Sequence, residues 1–271
     1  MTFFSTGIAA LVTLAACGVE QTQSLQPTSR PTSAPTSSDP AVALLDRLET
    51  AGNLLRDFRA DITYYLWDSM LERREIRGGE IVYVVSPDDG SRRFAILVTS
   101  VSVGNRRNNQ NKRYVFDGSW FVEIDQDNRM FTKRQIVAPG ERFDPLTLGE
   151  GPFPLPVGQR RKDVLARFEV SVLEGTRHEV LARFLEGRKV EGLKLVPRPS
   201  TPQAKEIAEV EIFYDAATLL PVGIVLTETN GDRKTVMLRN IERNRGIDES
   251  KLSIEEPDPK EWQIDVRPWV G

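Results

Sequence analysis

The sequence predicts a mainly β (α+β) protein: one large antiparallel sheet of about ten or eleven strands, with two or three helical pieces laid against it. Apolar and polar residues alternate with a period of two from Phe58 onward. Successive strands are joined by polar turns, not by helices, which favours an antiparallel meander over a parallel α/β sheet. The stretch Lys112 to Val137 alone reads as three strands and two tight turns. A sheet of this size tends to curl, and a helix across its concave face would enclose either an apolar cavity or a filled core.

The elements follow in order. Asp39-Pro40 reads as an N-cap followed by proline in the first turn, and Leu44, Leu45, Leu48, Ala51 and Leu55 at helical spacing predict an amphipathic helix over Ala41 to Arg56. Phe58, Ala60, Ile62, Tyr64 and Leu66 then form one face of a half-buried strand. Glu75 to Val85 is the next strand, with a bulge expected at Gly78-Gly79. Arg92 to Val103 places Phe94, Ile96 and Val98 on one face, and the Asn- and Arg-rich Gly104 to Asn111 reads as a loop. Asp117-Gly118 suits a two-residue hairpin turn. After it Trp120, Val122 and Ile124 share a face, and a polar turn spans Asp125 to Asn128.

The proline- and glycine-rich stretch Ala138 to Val157, which contains Phe143, Phe153 and Leu155, reads as a long apolar loop of the kind that often carries function. Gln159 to Arg167 reads as a short helix, Phe168 to Val172 as a strand, and Thr176 to Arg188 as a helical turn or two. Strands follow at Gly192 to Pro197, Ala208 to Asp215, Pro221 to Thr229 and Lys234 to Glu242, then a short one near Leu252 to Glu255 and a terminal one around Trp262, Ile264 and Val266.

The chain of 271 residues carries 36 basic and 39 acidic side chains, interspersed, for a net charge of -3, which gives no reason to expect a nucleic-acid partner. Its N-terminus divides from the rest. The apolar run Phe3 to Ala16 is too short to span a bilayer and has the length of a secretory signal. It ends in Leu14-Ala15-Ala16-Cys17, similar to the bacterial lipobox, in which the cysteine is lipidated and begins the mature chain; an ordinary signal peptide is the alternative. Residues 18–40 are Ser, Thr, Gln and Pro, a composition that cannot bury a core and that makes an extended tether. The expected division is therefore a signal segment 1–17, a tether 18–40 and a single folded domain 41–271.

Catalytic constellations are scarce. His178 is the sole histidine, which removes serine-histidine-aspartate triads, cysteine-histidine pairs and multi-histidine zinc sites, and it reads as an exposed or helix-end residue. Asp125 to Asn128 opens like a calcium loop, but Arg129 stands where an oxygen ligand is needed. No phosphate-binding glycine loop follows any strand, and no cofactor or metal motif emerges. The expectation is a protein that binds and does not catalyse.

Several short motifs in fixed order carry a resemblance. They are Phe58-Arg59-Ala60-Asp61-Ile62-Thr63, Gly79-Glu80-Ile81, Asp117-Gly118 with Trp120, Pro152-Phe153, Leu193 to Pro197, Asn244, Ile247-Asp248, Leu252 and Pro257. Over nearly all of Ala41 to Val266 the chain resembles the LolA-type outer-membrane lipoprotein carrier and sorting proteins. The resemblance implies an unclosed β-barrel with an α-helical lid, whose apolar concave face binds the acyl chains of lipoproteins or other lipids without covalent chemistry.

The candidate lipid-binding residues are Phe94, Ile96, Val98, Trp120, Val122, Ile124, Val210, Ile212, Ile224, Leu226, Val236 and Leu238, with Leu44, Leu48, Phe153 and Leu155 in the lid or loop. Carriers of this family often have an arginine before the proline that ends the second strand; here Ser86 precedes Pro87. With Cys17 as the lipidation site, the expectation is an anchored lipid handler on the periplasmic side of the bacterial envelope, most consistent with the outer membrane, and not a soluble shuttle. An envelope sensing or protein-interaction module on the same fold is the alternative. Nothing in the sequence sets an oligomeric state.

Overall fold

The first helix forms where the caps place it. Asp39 accepts a hydrogen bond from the Ala41 amide at 2.8 Å, Pro40 opens the first turn, and α1 runs Pro40–Asn53. It stops short of the expected Arg56 because Asn244 takes over: its side-chain oxygen accepts from the Arg56 amide at 2.8 Å and its amide donates to the Leu54 carbonyl at 3.2 Å. These bonds satisfy the backbone at the helix end and turn the chain into the first strand. The computed structural model describes residues 39–87, 90–141 and 156–270. The expected signal segment with Cys17, most of the tether, and Phe143, Phe153 and Leu155 lie outside them.

Among the described residues twelve strands form one sheet. They are β1 Asp57–Asp68, β2 Arg73–Val85, β3 Arg92–Val103, β4 Arg106–Phe116, β5 Trp120–Asp125, β6 Met130–Gln135, β7 Phe168–Leu173, β8 Val190–Pro197, β9 Ile207–Asp215, β10 Pro221–Glu228, β11 Arg233–Arg243 and β12 Gln263–Arg267. Their spatial order is β12-β6-β5-β4-β3-β2-β1-β11-β10-β9-β8-β7. Every neighbouring pair is antiparallel except β12 with β6, which is parallel. The sheet does not close, and β12 and β7 are its edges. Two meanders, β1 to β6 and β7 to β11, meet where β1 pairs with β11.

Three local readings are corrected. Arg106 to Asn111 is not a loop but the first half of β4, since Ser100 to Val103 offers an antiparallel partner and backbone pairing overrides the polar composition. The hairpin between β4 and β5 closes on Asp117 and Trp120, so its turn residues are Gly118-Ser119, one position later than read; Asp117 Oδ1 accepts from the Ser119 and Trp120 amides. Residues 252–255 form no strand; Glu249–Leu252 is a 3-10 turn capped by Asp248 and pinned by the buried Leu252.

The expected bulge is present, with Thr99 of β3 as the extra residue opposite Gly78-Gly79. A Cβ on Gly79 would stand 1.8 Å from the Leu97 carbonyl oxygen, so the close backbone approach there requires glycine.

Both faces of the sheet are covered. The inner face carries the main apolar layer, including Phe58, Ile62, Ile81, Phe94, Ile96, Phe116, Leu193, Ile212, Ile224 and Val236, and α1 lies on it through Ala41, Leu44 and Leu45. Helix α2, Arg161–Arg167, adds Val164 to the same layer.

On the outer face, α3, Glu179–Leu185, packs Leu181 and Phe184 onto Phe213, Val222, Val225 and Met237. Gly223 leaves room for Leu181, whose Cδ1 would be 2.5 Å from an added Cβ. Over β2 to β6 the same face is covered by the C-terminal segment: Leu252 packs on Val82, Ala95 and Val115, and Trp262 and Ile264 pack on Val122, Ile124 and Phe131. Lys251 to Glu80 at 2.6 Å and Lys133 to Glu256 at 2.9 Å fasten this strap at its margins.

Candidate functional site

The site with the strongest binding character lies where α1 meets the inner face. A cleft there is lined by Leu45, Leu48, Ala51 and Gly52 of α1, by 156–159, by Val164, and by Leu193, Leu195, Ile212, Tyr214, Leu219 and Leu220. The lining is almost wholly apolar. Its free volume is about 30 Å³, room for one or two waters and far below the ~300 Å³ at which ligand pockets begin. The observed state is closed.

Closure has a specific geometry. Gly52 at the end of α1 and Gly158 touch backbone to backbone, and Gly158 has a φ of +62°, a conformation suited to glycine. From the sheet, the Arg92 guanidinium donates to the Val157 carbonyl at 3.3 Å and to the Gly158 carbonyl at 3.2 Å, which holds this segment over β3.

The outward side of α1 is latched by charge. Arg47 makes a bidentate pair with Glu191 of β8 at 2.7 and 2.8 Å. Asp46 pairs with Arg161 at 3.1 Å, and Glu49 accepts from the Arg161 amide at 2.9 Å, capping α2, whose own N-cap Arg160 makes no side-chain cap. These contacts are largely exposed, and such pairs are worth roughly 0–1 kcal/mol each. The lid is therefore held by apolar contact beneath and by weak, screened bonds outside.

Two polar side chains line the cleft, Gln159 and Tyr214. Tyr214 is 5% exposed, and no hydrogen bond reaches its hydroxyl among the described residues. Burial raises the pKa of that phenol above its ordinary value, so it stays protonated and can donate.

Toward the hairpin end, the inner face changes character. Ile62, Tyr64, Arg77, Gly78, Ile96, Val98 and Tyr114 line a second, smaller hollow. Arg77 pairs with Glu75 at 2.6 Å, and Lys112 with Glu123 at 2.5 Å, its ammonium 5.5 Å from the Tyr114 ring centre. Burial opposes the charge on Lys112, but Glu123 and Tyr114 more than offset it, and its pKa lies above the usual lysine value. An apolar floor thus ends in a rim of cations and phenols.

The expected lipid-binding residues divide between the faces. Phe94, Ile96, Val98, Val210, Ile212, Ile224, Leu226, Val236 and Leu238 share the inner layer with Leu44, and Leu48 packs against it. Trp120, Val122 and Ile124 do not join them. Val122 pairs with Val115 on the outer face and is buried under Ile254, Trp262 and Ile264, while Phe121 is the residue β5 turns inward. β5 alternates Trp120, Val122 and Ile124 with Phe121, Glu123 and Asp125; its apolar side faces outward because the strap covers it there, which the alternation of β5 alone cannot reveal.

Gly52, Arg92, Val157, Gly158 and Tyr214 belong to the site but were not among the candidates. Only the placement of Gly52 on the apolar side of α1 offered a signal.

The outer face has its own opening, a wide cleft of about 480 Å³ between Tyr65, Arg74, Ile76, Glu179, Val180, Arg183, Phe184, Met237 and Arg239. It is larger than the α1 cleft but open to solvent and edged with arginines, so it lacks the dryness an apolar ligand requires.

No family model matches the sequence, and no curated protein matches it. Solved structures similar to the chain include the Pseudomonas aeruginosa MucA/MucB complex, with 16% identity, a TM-score of 0.45, and coverage of 79% of this chain and 61% of that one. The Mycobacterium tuberculosis lipoprotein LppX is similar at 13% identity and a TM-score of 0.44, over 78% of this chain and 99% of that one. A LolA superfamily protein from Nitrosomonas europaea is similar at 7% identity and a TM-score of 0.34, over 79% and 97%. The fold class rests on strand order and register.

Proposed function

We propose that the chain is a non-enzymatic binder of acyl chains, from lipoproteins or other lipids, and that α1 is the lid of its site. One observation carries this reading: an almost wholly apolar cleft lies between an amphipathic helix and the inner face, and among the described residues the outward side of the helix is held by exposed polar contacts. An acyl chain needs apolar area and few polar partners. Swinging α1 and residues 156–159 away from the sheet would open the cleft along Leu193, Leu195 and Ile212. The Tyr214 hydroxyl is then a donor for an ester carbonyl.

The setting follows from the N-terminus. A lipidated Cys17 and the 18–40 tether would hold the domain at a membrane of the bacterial envelope, facing the periplasm, with the outer membrane as the fitting surface for lipoprotein sorting or lipid delivery.

The test uses the full chain. Solvent extraction followed by mass spectrometry should recover a bound lipid, and a fluorescent fatty acid should bind and be displaced by unlabelled lipid. Recovery of no lipid together with no binding of the probe would sink the proposal and leave the protein-interaction module. Mass analysis of membrane-derived protein tests the anchor separately, by a diacylglyceryl adduct on Cys17.

A further inference from the structure

On the outer face, away from the α1 cleft, the single histidine meets two carboxylates. His178 is the N-cap of α3, and Glu209 and Glu211 lie two apart on β9, so both project to the same side of the sheet. One ligand atom from each lies within 4.8 Å of the others. Glu211 is 7% exposed, although carboxylates are seldom buried without a charged partner. Its Oε2 accepts from the Thr176 hydroxyl at 2.5 Å, while its Oε1 takes no hydrogen bond. His178 Nε2 stands 3.8 Å from Oε1, beyond hydrogen-bond length.

We propose that His178, Glu209 and Glu211 bind a divalent transition metal of the zinc class. Imidazole with two carboxylates is a donor set that zinc accepts, and three protein ligands leave a fourth position for water or a further ligand. With bonds of about 2.0–2.2 Å, ligand atoms around a tetrahedral ion stand ~3.3–3.5 Å apart. The 3.8 Å gap between His178 and Glu211 is already near that spacing, and the set closes with about 1 Å of side-chain movement.

The surroundings suit the ion. Lys194 holds Glu209 through Oε2, which orients the carboxylate and leaves Oε1 for the metal. Thr176 orients Glu211 in the same way and also accepts from the His178 amide at 3.2 Å, so one hydroxyl positions both ligands. Across the strand pair from Glu209, the buried Thr227 hydroxyl has no hydrogen-bond partner, a further polar group left over beside the cluster. The single histidine excludes sites that need two imidazoles; it does not exclude a mixed set.

Metal binding would tie the 174–178 turn and the start of α3 to β9. The experiment uses the full chain without a histidine tag and with Cys17→Ser, which removes the one thiol that would compete for zinc. Calorimetric titration with zinc chloride is expected to give one saturable site per chain, and the thermal midpoint should rise with zinc. His178→Gln and Glu209→Gln, each at a partly exposed position, should weaken the site roughly tenfold or more while leaving the zinc-free midpoint near that of the parent. Lys194→Met should leave a site that still saturates at one zinc. Absence of saturable uptake, or uptake unchanged in both His178→Gln and Glu209→Gln, overturns the assignment. Should Glu211→Gln fail to fold, those two variants decide.

Discussion

Gly52 and Gly158 meet so closely that a Cβ on Gly52 would lie 2.2 Å from the Gly158 Cα. A helix and a loop are in contact here with no side chain between them, and this is where the lid seats.

Gly52→Ala should therefore lift the end of α1 away from 156–159. The expected cost is about 1–3 kcal/mol, typical of overpacking, read as a lower urea midpoint with an unchanged slope. Faster association of a fluorescent fatty acid should accompany it. A stable variant with unaltered association would mean that this contact does not govern entry.

The latch between Arg47 and Glu191 should be sensitive to acid. Hydrogen bonds from Arg47 hold the Glu191 carboxyl below the ordinary glutamate range, with burial working weakly against them. The folded chain thus binds that proton less well than the unfolded chain. The contribution is fully present above the unfolded value of about 4.3 and is lost as pH falls through the lower folded one. With side chains 49% and 32% exposed, the pair is worth at most about 1 kcal/mol. Arg47→Ala should be slightly less stable than the parent at pH 7 and equal to it near pH 3; a gap that persists in acid would assign the loss to packing.

The two faces of the sheet should separate stability from binding. Ile124→Ala, under the strap, should cost ~2–5 kcal/mol and leave the fatty-acid dissociation constant of the folded fraction unchanged. Ile212→Phe, in the cleft, should reduce affinity with a smaller stability change of about 1–3 kcal/mol. Reduced affinity in Ile124→Ala alone would put the ligand on the outer face.

Tyr214→Phe removes a hydroxyl that no hydrogen bond reaches among the described residues, so stability should change little. Affinity for a lipid ester should fall several-fold while that for a plain hydrocarbon probe stays constant. Equal effects on both would show that the hydroxyl serves packing alone.

Much of this architecture was legible in the sequence, because β1 alternates between the inner layer and solvent, while the short apolar runs in β3 and β9 to β11 mark strands buried on both faces. Asp39, Pro40 and the Leu44-Leu45-Leu48 spacing likewise announced α1. What escaped detection was set by distant partners. β5 shows a clear apolar side in Trp120, Val122 and Ile124, but that it packs outward depends on Ile254, Trp262 and Ile264, which arrive from far along the chain. Arg106 to Asn111 becomes strand because Ser100 to Val103 lies beside it. Gly158 follows a proline-rich stretch without periodicity, so neither its φ nor its contact with Gly52 left a trace in the pattern.

The pairing of β1 with β11 joins Phe58 to Arg243 and Trp67 to Arg233, residues from opposite ends of the folded chain. The first six strands can zip up by successive hairpins, but the inner face is incomplete until the last antiparallel strand is available to dock on β1. Contacts of such sequence separation carry a large loop-closure cost and slow folding. Until β11 arrives, the edge of β1 remains open with its apolar face uncovered, so the slow step in folding coincides with the interval of greatest risk of aggregation.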